Sequence, residues 1–164
     1  MRSLAIVNGS EEQRGGWRPA REQYNSAQFD MKTAYAETCD DWRLISEKHV
    51  LFSPNARIGP DEITLDDFTP VERSEWARQI RVEIKRLVLD DGEYDELVVL
   101  LDAEFVRCLA PLWDKLEQCD IRVNLELTER SGSDEQQKWL RQATDRHSGT
   151  SPKGTDTNGE DGVC

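Results

Sequence analysis

The sequence predicts one three-layer α/β domain, a mainly parallel sheet of about four strands with helices on both faces. Two observations predict it. Four apolar runs of strand length alternate with amphipathic helical patterns along the 164 residues. The third run, Glu96–Leu101, contains a continuous Leu-Val-Val-Leu-Leu stretch, as expected of a strand covered on both faces.

Leu4–Val7 is the first strand. A long Gly-containing loop follows, then a helix from about Ala27 to Glu37 with Ser26 as its N-cap. Trp42–Ser46 is the second strand. Thr69-Pro-Val-Glu72 has the form of a capping box with proline at the first helical position, a specific helix start. The helix it opens runs to about Leu89, and Asp90-Asp-Gly-Glu93 ends it. After the third strand, Asp102 is placed to cap a helix over about Ala103–Gln118, with a kink at Pro111. Ile121–Leu127 alternates apolar and polar residues and reads as a fourth strand nearer an edge. Ser133-Asp-Glu-Gln136 is a second capping box, opening a last helix that carries Trp139 and Leu140. Residues 1–146 thus form the domain. Residues 147–164 are mostly small and polar, cannot bury enough apolar surface to offset their ordering entropy, and read as a disordered tail.

The net charge is −12, unevenly spread. Residues 1–50 carry 7 Lys and Arg against 8 Asp and Glu, whereas residues 51–150 carry 13 against 22. An acidic surface argues against broad electrostatic binding of DNA. With 6 Lys against 15 Arg, it also suits a halophilic source, where salt screens self-repulsion. No apolar run is long enough to span a membrane, so no membrane partner is expected, and the short apolar start reads as a strand rather than a signal peptide. The chain is expected to be cytoplasmic. The cysteines Cys39, Cys108, Cys119 and Cys164 show no paired metal-binding spacing and read as buried thiols. No metal site is expected, the cofactor is unknown, and the oligomeric state is left open.

In such a fold ligands bind beyond the carboxyl ends of the strands. The loop after the first strand holds Gly9, Gly15 and Gly16 with Arg14, Arg18 and Arg21, a set that could bind phosphate, although a solvated surface loop explains it more simply. It has neither dinucleotide-binding nor P-loop spacing. Ser46 ends the second strand, and Lys48 follows beside His49, the latter one of only 2 histidines. The lysine could hold a phosphate or act as a nucleophile, and the histidine could move protons. Against this, Lys48 could simply be exposed and His49 satisfied by a backbone carbonyl. Tyr24 could present its hydroxyl to the same site, and Asp61 and Thr64 could orient the others. Asp102 and Glu104 follow the third strand, where a carboxylate could serve as general base, although helix capping explains Asp102 more simply. Trp17, alone among the tryptophans, lies in a polar loop where it could stack on a base.

Three ordered segments carry a resemblance to a known family. Pro19-Ala-Arg-Glu-Gln-Tyr24-Asn-Ser26-Ala-Gln-Phe29 resembles a PAxxLYxSxxF segment. Ile45-Ser-Glu-Lys48-His49-Val-Leu51 resembles LSAKHGLL, and Gly59-Pro60-Asp61-Glu-Ile-Thr64-Leu65 resembles PYDxTL. Glu72-Arg73 with Trp76-Ala77 is similar to the ERxxWA that follows. Together they make roughly residues 4–140 similar to uncharacterised prokaryotic and phage domains related to the peroxide-stress protein YaaA. More distantly, the chain is similar to archaeal tRNA-modifying enzymes. The family's Ser-Cys and lysines after the first strand are replaced here by Asn8-Gly9-Ser10, and the glycine after its Lys-His pair by Val50.

The resemblance implies a domain tied to nucleic acids or stress, with relatives among phage and DNA-modification genes. The expectation is a domain that binds a nucleotide or nucleic acid at a local basic site, with base or nucleoside modification as the reaction class. Its catalytic candidates are Lys48, His49, Tyr24 and Asp61; its binding candidates are Arg14, Arg18, Arg21, Ser26, Ser46 and Thr64. The rival is a non-catalytic interaction module that holds a protein partner after losing the first-strand motif.

Overall fold

A computed structural model describes residues 2–10, 12–91, 94–128, 130 and 133–147. Its elements run β1 (Ser3–Asn8), β2 (Arg18–Pro19), α1 (Ala20–Gln23), α2 (Ala27–Ala36), β3 (Asp41–Ser46), β4 (Val50–Phe52), β5 (Arg57–Ile58), α3 (Pro70–Lys85), β6 (Glu96–Leu100), α4 (Ala103–Cys108), α5 (Ala110–Gln118), β7 (Arg122–Asn124) and α6 (Ser133–His147). The main sheet has five strands in the order β4-β3-β1-β6-β7. β1 is parallel to both β3 and β6, and β6 to β7; β4 alone is antiparallel. A two-stranded ribbon, β2 with β5, stands apart from it.

The α/β class follows from how β1 buries both faces. Leu4 and Ile6 point into one core, with Trp76, Ile80 and Ile84 of α3 and Leu112 and Leu116 of α5. Ala5 and Val7 point into the other, with Phe29 and Tyr35 of α2 and Trp139 and Leu140 of α6. Every residue of β1 and of β6 is buried, which is why both read as uninterrupted apolar runs.

The capping box of α3 forms as expected: the Thr69 hydroxyl accepts from the Glu72 N–H, and Glu72 Oε1 accepts from the Thr69 N–H, with Pro70 opening the helix. Beyond Lys85 the helix widens into a π-type turn over Arg86–Asp90 that buries Val88. The helix expected over 103–118 is two, α4 and α5, meeting at Leu109, because Pro111 is tolerated only near a helix start. The fourth strand shortens to Arg122–Asn124 at the sheet edge. The expectation of buried thiols does not hold: free Cys108 and Cys119 are half-buried and exposed, and Cys39, although buried, is disulfide-bonded rather than a thiol. The expected tail, save His147 at the end of α6, and the capping-box side chain of Ser133 fall outside the described residues.

Candidate functional site

Helices leave the sheet to opposite faces after β1 and after β6, since α2 packs in one core and α4 in the other. The neighbouring strands β1 and β6 therefore flank a topological switch point, where a crevice must open beyond the strand ends. A cavity of about 570 Å³ lies there. Its walls come from the carboxyl ends of β1, β3 and β6, the start of α2, and the segment 61–66.

The base of the site is a buried lysine. Lys32 falls on the inward stripe of α2, with Phe29, Tyr35 and Ala36. The residue is 2% exposed. Its Nζ donates to Asp102 Oδ1 at 2.9 Å and to Asn8 Oδ1 at 3.3 Å. Asn8 in turn donates to Asp102 Oδ2 at 3.0 Å. Burial pulls the Lys32 pKa below its ordinary value, although the Asp102 charge and hydrogen bond oppose the shift. Burial pushes the Asp102 carboxyl up, but Lys32 and Asn8 outweigh it and hold the group below the usual carboxylate range. Asp102 occupies the N-cap position of α4 without making a side-chain cap bond, so its carboxylate serves the cavity rather than the helix expected to claim it.

Tyr24 forms a wall. Its ring packs on Phe29, with centroids 5.1 Å apart, and on Gly9, where an added Cβ would overlap it. The Tyr24 hydroxyl is buried and makes no geometrically complete hydrogen bond, despite the nearby Ser46 hydroxyl. Burial, then the charges of Asp61 and Glu47, push its pKa far above the ordinary phenol value, so it stays a proton-bearing donor. Glu47 is pushed up by burial, with the charges of Asp61 and Glu104 adding and backbone N–H groups opposing. Among the described residues six carboxylates line the cavity: Glu47, Asp61, Glu62, Asp66, Asp102 and Glu104. Lys32 is the one cation lining it among those residues.

Of the residues singled out by sequence, Tyr24, Ser26, Ser46, Asp61 and Thr64 line this cavity. The three hydroxyls also hold backbone: Ser26 caps α2 through the Phe29 N–H, Ser46 accepts from the His49 N–H, and Thr64 joins a capping box with Asp67. The Asp61 backbone is clamped by Gln13, which exchanges two hydrogen bonds with it. Lys48, His49, Arg14, Arg18 and Arg21 are placed elsewhere. Lys48 is exposed in the turn between β3 and β4. His49 meets the Phe52 ring edge-on, and its buried Nε2 lacks a partner. Burial lowers its pKa, Lys48 adds to this, and Asp61 opposes it. Arg14 bonds the Glu22 and Tyr24 carbonyls, Arg18 the Gly15 carbonyl, and Arg21 the Asn55 amide oxygen.

Sequence reading missed Lys32 and Asn8. The available signal was the position of Lys32 three residues after Phe29 and three before Tyr35, on an otherwise apolar helical stripe. Among the described residues no group of three or more His, Cys, Asp or Glu is placed to hold a metal ion. No described helix is long and apolar enough to cross a membrane.

Residues 4–142 match a family of unknown function, DUF6884, and the chain belongs to that family. No curated protein and no solved structure matches it.

Proposed function

We propose that the strand-end cavity receives a nucleobase or nucleoside, and that the domain binds or modifies it. The observation that carries this reading is the chemistry of the lining: many carboxylate acceptors, one buried ammonium already committed to Asp102, and an unpartnered Tyr24 hydroxyl. Carboxylates accept from exocyclic amines, ring N–H groups and ribose hydroxyls, and Tyr24 donates to a base carbonyl or ring nitrogen. The same carboxylates repel phosphate, so any phosphate of the ligand lies outside, toward the loop arginines.

Within the pocket Lys32 and Glu47 are the groups for proton transfer. Lys32 is held in place by Asp102 and Asn8, and Glu47 is shifted toward neutrality by burial. Asp61, Ser26, Ser46 and Thr64 supply polar contacts. Lys48 and His49, in the turn after β3, are second candidates. The similarity to YaaA-like domains supports a nucleic-acid or stress setting, and a cytoplasmic one, for this chemistry.

A thermal-shift screen of bases, nucleosides and nucleotides, in low and molar salt, tests the reading. A ligand at about 100 times its Kd should add about 2.7 kcal/mol of stability. Nucleosides should stabilise more than their phosphates, and Tyr24→Phe should weaken the effect to roughly half while Lys48→Ala keeps it in full. If no nucleoside or base stabilises the protein in either salt, the reading fails.

A second reading is a binding-only module. It is favoured by Asn8, which stands where the resembling family has its Ser-Cys pair and whose side chain is consumed by Lys32, Asp102 and the Gly9 carbonyl. Among the described residues no cysteine lines the cavity.

A further inference from the structure

We infer that the β2–β5 ribbon is a docking surface for single-stranded nucleic acid, with phosphates on its arginines and a base stacked on Trp17. The inference rests on the nucleoside reading of the cavity and extends it: the nucleoside enters as part of a strand.

Charge separates the ribbon from the rest of the molecule. Residues 13–21 and 53–59 together carry Arg14, Arg18, Arg21 and Arg57 and no carboxylate, within a chain of net charge −12. Among the described residues none of these arginines is ion-paired. Each is held by a neutral oxygen: Arg57 by the Trp17 carbonyl at 3.0 Å, Arg18 by that of Gly15 at 2.8 Å, Arg14 by that of Glu22 and Arg21 by the Asn55 amide. A guanidinium has five N–H donors, so each keeps its charge and spare donors in a pre-set orientation.

Trp17 supplies the stacking surface. It is 70% exposed, the most solvent-facing aromatic among the large exposed apolar residues. Its indole rests on Gly59, where an added Cβ would sit 3.3 Å from Cε2. An exposed indole backed by main chain in this way is a surface on which unpaired bases stack. A duplex hides its base faces and would leave the indole unused.

Continuity with the cavity is the remaining support. Gln13 lines the cavity, bridges Tyr24 and clamps Asp61, and Arg14 follows it, four residues before the ribbon begins at Arg18. Gly59 lies two residues before Asp61 on the returning strand. A strand lying on the ribbon can thus pass an unstacked nucleoside over the Gln13–Asp61 clamp. The acidic cavity excludes its phosphates, and the ribbon takes them.

The test uses the full chain and fluorescently labelled single-stranded DNA and RNA of about 10 nucleotides, within the usual site size of such surfaces. Anisotropy is read for wild type, Trp17→Ala, Trp17→Phe and the double variant Arg18→Gln/Arg21→Gln, with circular dichroism as a control for folding. Loss of a stacked base should weaken binding between about fivefold and a hundredfold in Trp17→Ala, with recovery in Trp17→Phe. The double variant should flatten the log–log salt dependence by about 0.7 for each phosphate it no longer neutralises. Stabilisation by free nucleosides should be the same in Trp17→Ala as in wild type. Oligomer binding that ignores Trp17 and the arginines, or prefers duplex, overturns the inference. So does nucleoside stabilisation with no oligomer binding, which leaves the cavity reading standing. Oligomer binding that needs Trp17, with no nucleoside effect, supports the ribbon and removes the cavity reading.

Discussion

Asn8 and Asp102, 94 residues apart, are joined by two hydrogen bonds: Asn8 Nδ2 donates to Asp102 Oδ2 at 3.0 Å, and the Asp102 N–H donates to Asn8 Oδ1 at 2.9 Å. One residue ends β1 and the other follows β6, so the pair closes the sheet at its switch point. Lys32 from α2 joins them from the side. The site is therefore a product of topology: three elements that leave the sheet in different directions are tied by one asparagine.

The first prediction concerns which partner of the ion pair matters more. The Asp102 side chain is 55% exposed, whereas that of Lys32 is 3% exposed. Lys32→Met leaves a half-exposed carboxylate that water and Asn8 still serve, so no buried charge is stranded and the change should cost about 1 kcal/mol or less. Asp102→Ala strands an ammonium in the core with Asn8 Oδ1 as its nearest acceptor, and should cost about 3–5 kcal/mol at neutral pH. Urea unfolding of both variants measures the order. The reverse order would mean that the Asp102 carboxylate is not what compensates the buried Lys32 ammonium.

The same pair sets a pH dependence. The Lys32 pKa is lower in the folded state than its ordinary 10.5, so the unfolded chain binds more protons between the two values. Its contribution to stability is present above 10.5 and is lost as pH falls through the lowered folded value. Asp102→Ala removes the opposing charge, widening that window. The deficit of this variant should therefore shrink as pH rises from about 7 toward 10, where the stranded amine sheds its proton. A deficit that stays constant across that range would show that the ammonium is not its cause.

Tyr24 separates stability from binding. Its hydroxyl is buried without a partner, so Tyr24→Phe should leave stability unchanged or raise it slightly. Nucleoside affinity should fall about tenfold, the equivalent of one lost hydrogen bond of roughly 1.4 kcal/mol. Gly9→Ala should do the opposite. The new methyl overlaps the Tyr24 ring and should cost about 1–3 kcal/mol of stability as the wall is pushed aside. Calorimetry on both variants checks the pair; a Tyr24→Phe protein that unfolds early would refute the account.

What could be read in the sequence was local. Thr69, Pro70 and Glu72 announce α3 because a capping box acts within one turn, and it formed as written. The apolar runs of β1 and β6 were legible because both faces of those strands are covered. Lys32 was not, because its meaning depends on Asp102, 70 residues away, and a helical lysine is ordinarily solvent-facing. Tyr24, Ser26 and Asp61 could be found beforehand because they lie within the motif segments. The arginines could be named but not placed, since their hydrogen bonds to main-chain carbonyls and to Asn55 leave no pattern in sequence. β4 was missed for another reason. It spans three residues, and the turn that pairs it with β3 lacks the glycine that would mark it.

That missing glycine gives the last prediction. β3 and β4 pair Ser46 with Val50, enclosing the three residues Glu47, Lys48 and His49. Such a hairpin needs a left-handed residue after its turn, and Val50 takes that place with φ of 65°. Glycine adopts this conformation freely, whereas a β-branched residue is strained in it. The resembling family has glycine at this position. Val50→Ala removes the side-chain packing but keeps the Cβ strain; Val50→Gly removes both. Alanine ordinarily exceeds glycine in stability, yet here Val50→Gly should be more stable than Val50→Ala by about 1 kcal/mol, the left-handed penalty of a Cβ. That is a difference of about 2–4 °C in Tm at this size. If alanine proves the more stable, Val50 is not held left-handed, and the turn presenting Lys48 and His49 has a different shape.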